Sequence, residues 1–246
     1  MQTTQFTFEA IGQVESCFST NFGIPRQPGL VPEARGRIRL FAPGASPESV
    51  RGLEAFSHLW VVFVFHRLKG ATDKATVRPP RLGGNTRLGV FASRATHRPN
   101  PIGLSLVKLE AIDCSGTEVV LEVSGLDMVE GTPVLDIKPY LPYAEALPHA
   151  EAGYASEAPQ LTCAVVFSPQ ARQQAQALEA HYAQFTALLT RVLALDPRPA
   201  FHQQGSPRQG RVYGLELYDQ NIRWQVDSEQ RITVLDILPT AERDND

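Results

Sequence analysis

The sequence predicts a mainly β N-terminal domain, a β-barrel over residues 1–145, joined by a linker at 146–160 to a small α+β domain over 161–246. Three observations carry that expectation. The first 140 residues read as short apolar runs cut by glycine and proline, with few helical patterns, as in a closed or nearly closed barrel. Residues 144–160 turn rich in Ala, Glu and Pro, the composition of a connecting segment. Beyond them, apolar residues recur at helical spacing between strand-like runs. A chain of 246 residues that is 43% hydrophobic can bury the core this needs, as one large domain or a domain with an appendage.

The barrel strands are expected at 6–14 (FTFEAIGQV), 36–42 (GRIRLFA), 58–65 (HLWVVFVF), 87–93 (RLGVFAS), 103–112 (GLSLVKLEAI), 117–126 (TEVVLEVSGL) and 133–139 (PVLDIKP). Alternation marks 37–40 and 119–123, whereas 59–65 is apolar throughout and reads as a central strand buried on both faces. A short helix is expected to begin near Ser46 or Pro47. In the C-terminal domain, 161–167 reads as a strand, and Ser168-Pro169 as a helix cap with proline in the first position. One amphipathic helix then spans 171–195, with Leu178, Tyr182, Phe185, Leu188, Leu189 and Val192 on its apolar face, and Asp196-Pro197 stops it. Strands at 211–218 and 222–226 flank a turn at 219–221, and 231–238 completes a meander.

Composition narrows the function. No run approaches the roughly 18 apolar residues of a membrane helix, and MQTTQFTFEA has neither the basic start nor the apolar stretch of a leader, so a cytoplasmic protein without a membrane partner is expected. Cys17, Cys114 and Cys163 lie too far apart for a metal pair or disulfide framework and read as buried thiols; no metal is expected. His149, His181 and His202 stand without carboxylate motifs and read as surface or packing residues. The formal charge of −3 hides a strong asymmetry. Residues 67–98 carry Arg67, Lys69, Lys74, Arg78, Arg81, Arg87, Arg94 and Arg98 against Asp73 alone, a local charge of +7, with a second basic cluster at Arg26, Arg35, Arg37 and Arg39. Such polarity suits a polyanion held at one face, or a solvated loop whose arginines pair locally.

The nucleotide-binding GxGxxG turn is absent, as are a P-loop ending after Gly83-Gly84-Asn85, HExxH and GxSxG. Four loops are instead dense in proline, glycine and arginine: 23–30 (GIPRQPGL), 51–60 (RGLEAFSHLW), 94–104 (RATHRPNPIGL) and 127–140 (DMVEGTPVLDIKPY). Fixed loops of this kind present backbone N–H and C=O groups to a ligand without a helix dipole.

These four segments resemble the signature stretches of the TrmO/TsaA-like methyltransferases, and 196–201 (DPRPAF) resembles a proline-rich loop of the longer bacterial members. The resemblance implies a non-Rossmann β-barrel enzyme, a homodimer holding S-adenosyl-L-methionine near the subunit interface. It implies N6-methylation of threonylcarbamoyl-adenosine at position 37 of threonine tRNA. Carried over by motif, the cofactor contacts are Pro25, Arg26, Gln27, His66, Arg67, Arg94, Leu104, Asp127, Met128, Val129, Glu130 and Gly131. Physical needs agree: a sulfonium wants carboxylate or carbonyl oxygens, a methionine carboxylate wants an arginine, and an adenine wants apolar contact. The chain departs from the family after Ile11-Gly12, where Glu15 and Cys17 replace a common basic residue and proline.

Methyl transfer is a displacement that needs in-line positioning in a dry pocket and loss of one proton from the nitrogen. His66 and Asp136 are the candidate bases. Arg78, Arg81, Arg87 and Arg98, with Arg198, Arg208 and Arg211 in the tail, are the expected contacts to a splayed anticodon loop, with the C-terminal domain aiding tRNA binding. A methyltransferase acting on a small molecule or a protein, and a non-catalytic RNA-binding or cofactor-sensing protein, are the competing readings.

Overall fold

The computed structural model describes residues 4–42, 45–68, 75–199, 211–227 and 229–240. Six strands close into a barrel: β1 (Gly12–Ser16), β2 (Arg35–Leu40), β3 (His58–Val64), β6 (Ile102–Asp113), β7 (Val120–Ser124) and β8 (Pro133–Pro139), in the order β1-β2-β7-β6-β3-β8. The short strands β4 (Thr76–Val77) and β5 (Leu88–Gly89) pair with each other outside it. Closure follows from alternation. On β6, Gly103, Ser105 and Val107 face inward while Ile102, Leu104 and Lys108 face outward. With Val14, Ile38, Leu59, Val61, Leu121 and Val134, all almost fully buried, the inward set fills the barrel. Gly103 is required by close approach: a Cβ there would lie 2.2 Å from the Phe63 ring.

Several sequence expectations need correction here. Strand β1 begins at Gly12, so Phe6 and Phe8 are exposed on an extended lead-in; their alternation imitates a strand that has no partner. Strand β3 is buried on its inner face only, because a closed barrel gives each strand one interior side. Trp60, Val62 and Val64 are half-exposed on the outside. Residues 87–93 give a two-residue strand followed by a 3-10 turn at Val90–Ala92, and the helix expected near Ser46 is a run of turns ending in a 3-10 turn at Leu53–Ala55. Cys114 is exposed, while Cys17 and Cys163 are buried. Burial pushes the Cys17 thiol up to about 12, which makes it a packing residue.

After a single helical turn, α1 (Pro142–Glu145), an exposed stretch holding a 3-10 turn at Gly153–Ala155 leads to β9 (Ala164–Phe167). Strand β9 runs parallel to β12 (Arg231–Pro239) in a four-stranded sheet ordered β10-β11-β12-β9, with β10 (Val212–Leu217) and β11 (Gln220–Val226) completing it. The hairpin turn is two residues, Tyr218-Asp219, because Leu217 pairs with Gln220 and Asn221 already lies in the ladder. Ser168 caps α2 (Pro169–Leu178) by accepting from the Ala171 N–H, as its position before proline predicts. The expected single helix is two. A straight 25-residue helix would run about 37 Å. Instead the chain turns at Gln184, at φ 63°, into α3 (Phe185–Ala194), whose Phe185, Leu188, Leu189, Val192 and Leu193 are buried.

The two β layers share one continuous apolar core through the segment between β1 and β2. Gly23 lies against Leu215 and Val192, and Glu33 pairs with Arg191 at 2.9 Å. Overpacking in such an interior costs about 1–3 kcal/mol per misfit. Gly103→Ala drives a methyl into the Phe63 ring, so denaturant unfolding of this variant is expected to show a loss of that size, and Phe63→Leu in the same chain to recover part of it.

Candidate functional site

At one rim of the barrel the turn at 125–132, between β7 and β8, meets the loops that follow β1 and β3 and the loop before β6. Two left-handed glycines shape it. Gly125 (φ 75°) accepts a hydrogen bond from the Gly29 N–H at 2.9 Å, which seats the 23–30 loop on the turn. Gly131 takes a left-handed turn (φ 79°) that favours glycine, and it lies close to His66, since a Cβ there would stand 3.8 Å from the His66 Nε2.

Hydrogen bonds tie the other side chains into this rim. Arg94 Nη1 donates to Gln27 Oε1. Arg67 donates from Nη1 to the Ser19 carbonyl (2.6 Å) and from Nη2 to the Glu130 carbonyl (2.8 Å). The Ser16 N–H donates to Glu130 Oε2 and the Ser16 hydroxyl to the Met128 carbonyl at 2.7 Å. Met128 and Val129 bury their side chains, so only their backbone is available to a ligand. Glu130 is already committed to the Ser16 N–H. Asp127 is therefore the carboxylate left over, and its sole side-chain donor among the described residues is the Ser105 hydroxyl at 2.5 Å.

Dehydration pushes the Asp127 carboxyl up to about 6, against the weaker opposing pull of Ser105, its own backbone and the Arg94 charge. A half-buried carboxyl held this high is poised for a cation. His66, exposed near Gly131, is held below its ordinary value, first by partial dehydration and then by the Arg67 charge, while a hydrogen bond with the Val64 backbone pulls the other way. Both lowering effects favour the neutral imidazole, which retains a lone pair. His66 and Arg67 also line an open cleft of about 380 Å³ with Thr20, Asn21 and Leu68.

The rim thus collects Gln27, His66, Arg67, Arg94, Asp127, Glu130 and Gly131, with Pro25 buried beneath the 23–30 loop and Arg26 exposed, within electrostatic reach of Asp196. Leu104 and Asp136 lie elsewhere. Val62 pairs with both, so Leu104, Val62 and Asp136 form one row on the outer face of the barrel. A bulge at Leu135, where Val62 pairs with Asp136 but Phe63 with Val134, turns Asp136 outward, and it binds Lys138 at 2.7 Å. Asp136 lies level with Val62, two residues before β3 ends, whereas His66 lies in the turn beyond that end.

The arginines divide as sharply. Arg78, Arg81 and Arg87 are exposed, although Arg81 also donates to the Glu157 carbonyl of the linker. Arg98 braces its own loop through the Ser93 and Ala95 carbonyls. The reading of Arg198 as an RNA contact is corrected: it is 2% exposed, with Nε 2.7 Å from Asp196 Oδ1, and acts within the fold. Arg211 is exposed, its guanidinium 5.1 Å from the Tyr213 ring centre, and Arg208 lies outside the described residues. The family departures are structural too, since Glu15 pairs with Arg39 and Cys17 is buried.

Sequence reasoning missed Ser105, Ser16 and Ser19. Ser105 had a readable signal, the one hydroxyl among inward positions of β6. Ser16 and Ser19 had none, because their roles depend on Glu130 and on the distant turn at Tyr218, whose carbonyl accepts from the Ser19 hydroxyl and whose N–H donates to the Cys17 carbonyl at 2.7 Å. Among the described residues no cluster of His, Cys, Asp and Glu could hold a metal, and no helix is long and apolar enough to cross a membrane.

Comparison with known proteins agrees with this architecture over nearly the whole chain. Residues 13–146 match the tRNA-methyltransferase O N-terminal domain and residues 160–240 the TrmO C-terminal domain. The chain is 51% identical over 223 residues to the tRNA (adenine(37)-N6)-methyltransferase of Escherichia coli K12, covering 91% of this chain and 94% of that protein. It is 47% identical over 228 residues to a putative S-adenosylmethionine-dependent methyltransferase, RcsF, of Pseudomonas aeruginosa, covering 92% and 95%. The crystal structure of TrmO from Pseudomonas aeruginosa superposes with a TM-score of 0.80 at 40% identity, covering 97% of this chain and 99% of that one. In both of its domains, and in the barrel that carries the rim, the chain belongs to the tRNA-methyltransferase O (TrmO) family.

Proposed function

We propose that the protein uses S-adenosyl-L-methionine to methylate N6 of threonylcarbamoyl-adenosine at position 37 of threonine tRNA in the cytoplasm, giving N6-methyl-N6-threonylcarbamoyladenosine. The observation that carries this reading is the convergence of Asp127, Arg94, Gln27, His66 and Arg67 on one rim of a family barrel. Relatives named as tRNA (adenine(37)-N6)-methyltransferases support the RNA substrate, and those named as S-adenosylmethionine-dependent support the cofactor.

The donor set fits that cofactor. When bound it would supply an electrophilic methyl on positive sulfur, the carbon–sulfur bond breaking to leave a neutral thioether. Asp127 and the carbonyls of the 127–131 turn would meet the positive charge, and Arg94, held by Gln27, would meet a carboxylate. His66 takes the proton of N6 as the new carbon–nitrogen bond forms; the carbamoyl group has already made that N–H acidic, so a weak base suffices. The exposed Arg78, Arg81 and Arg87, with Arg211 from the C-terminal domain, contact the anticodon-loop phosphates.

The protein acts as a homodimer in this reading. Ile102 (41% exposed) and Leu104 (49%) extend the half-exposed row of Trp60, Val62 and Val64 into an apolar outer face, which a second copy covers. Leu104 and Asp136 approach a cofactor held at the rim only through that covering copy. Placing a charge there with Ile102→Glu is expected to halve the mass seen by light scattering while far-UV dichroism stays unchanged; an unaltered dimer would put the interface elsewhere.

Asp127 gives a pH test whose sign is fixed. Its folded value of about 6 lies above the ordinary 3.8, so its contribution to stability is fully present below pH 3.8 and is lost as pH rises through 6. A cationic ligand prefers the ionised form, so cofactor affinity should rise over the same interval. Asp127→Asn is therefore expected to raise the apo melting temperature at pH 8, to leave it near wild type at pH 4, and to weaken cofactor binding by on the order of tenfold with no pH dependence near 6.

The defining assay is labelled methyl transfer from S-adenosyl-L-methionine to total tRNA from cells with and without the threonylcarbamoyl modification. Label confined to the modified pool is the expected outcome. Equal label in both pools would remove the threonylcarbamoyl group from the substrate, and no label in either, with the cofactor bound, would favour a small-molecule or protein substrate.

A further inference from the structure

We infer that Phe91 is a stacking platform for an unpaired base of the RNA, beside the base being methylated; this rests on the tRNA reading above. Phe91 is 80% exposed, an unusual place for a ring of that size. The chain around it is built to hold it there. Val90, its neighbour, is buried at 4%, and the Val90 N–H donates to the Ala75 carbonyl at 3.0 Å. The Ser93 hydroxyl donates to the Val90 carbonyl at 2.9 Å, and Arg98 braces the Ser93 and Ala95 carbonyls. A 3-10 turn pinned at both ends points the ring outward without further ordering cost.

Charge selects the occupant. From residue 75 to 109 the chain has no carboxylate, and Arg78, Arg81, Arg87 and Arg94 of the same stretch are exposed. The other aromatics that are mostly exposed differ: Phe6 (74%) and Phe8 (67%) stand within three residues of Glu9, and Tyr143 (89%) two residues from Glu145. An exposed ring among cations suits a nucleobase, whose π face stacks while its phosphates meet the arginines. Location agrees as well. Arg94, three residues on, bonds Gln27 and lies close enough to act on Asp127, so the ring stands next to the rim. Extruding a base from a loop leaves its neighbour without a stacking partner, and Phe91 supplies one.

The test uses the full chain and threonine tRNA, with Phe91→Ala, Phe91→Leu and Phe91→Tyr. Stacking predicts a loss of tRNA affinity of about tenfold or more for Ala, little recovery for Leu and near-complete recovery for Tyr. The ratio of wild type to Phe91→Ala should hold constant from low to high salt, although both affinities fall, because stacking releases no counterions. Cofactor affinity and solution mass should not change. Unaltered tRNA affinity, or full recovery with Leu, overturns the stacking role. A dissociated dimer in Phe91→Ala also overturns it, since the ring would then be covered by a second copy. If wild type itself binds no tRNA, the parent reading fails and takes this one with it.

Discussion

The constraint on which this molecule depends is closure of the barrel at the seam between β1 and β8. Only Gly12 with Val134 and Gln13 with Pro133 pair there in register, fewer than at any other seam of the barrel. The deficit is made up beyond the strands. Val14 donates to Thr132 and accepts from Gly131, Glu130 donates to the Phe18 carbonyl, and Ser16 binds both Met128 and Glu130. The turn at 127–131 is therefore the continuation of the seam. Residues that close the barrel and residues that line the rim are the same, which ties the position of Asp127 to the integrity of the fold.

That seam also reaches the C-terminal domain. The backbone of Tyr218, held at φ 54° in a two-residue hairpin turn, binds Cys17 and Ser19, and the Ser19 carbonyl in turn receives Arg67, whose other Nη holds Glu130. Stacking of Tyr182 on Tyr218, with ring centres 4.0 Å apart, and the Tyr182 hydroxyl on Asp219 at 2.7 Å stiffen the turn from the other side. A left-handed non-glycine residue costs backbone energy, and packing on both sides is what keeps it in place. The small domain thus acts as a buttress for the rim, in addition to any RNA it touches.

Sequence made some of this readable and hid the rest for identifiable reasons. The barrel was legible because Gly103, Ser105 and Val107 alternate with Ile102, Leu104 and Lys108, and one closed sheet is the economical use of many such strands. The break between α2 and α3 was not, since Gln184 takes a left-handed conformation with no glycine, asparagine or proline to announce it. Phe6 and Phe8 misled because alternation reports a pattern and not a partner. The loops at the rim stood out through their prolines and glycines, but the bulge at Leu135 that sends Asp136 to the outer face leaves no mark in a run of ordinary strand residues.

The basic residues show why a count of charges is a poor map of a surface. Of the cations in the stretch from 67 to 98, Arg67 and Arg98 spend donors on backbone carbonyls and Arg94 on Gln27, so each fixes a loop before it can meet a ligand. Arg198 sits in a motif that reads as surface chemistry, yet its fork closes on Asp196 with almost no exposure, where an unpaired charge of either sign would be costly. Arg78, Arg87 and Arg211 are exposed, and Arg81 is exposed although it donates to the Glu157 carbonyl. A net charge of −3 leaves room for a local basic patch, because residues 75–109 carry exposed arginines and no carboxylate. The arginines consumed internally give that concentrated patch a fixed shape.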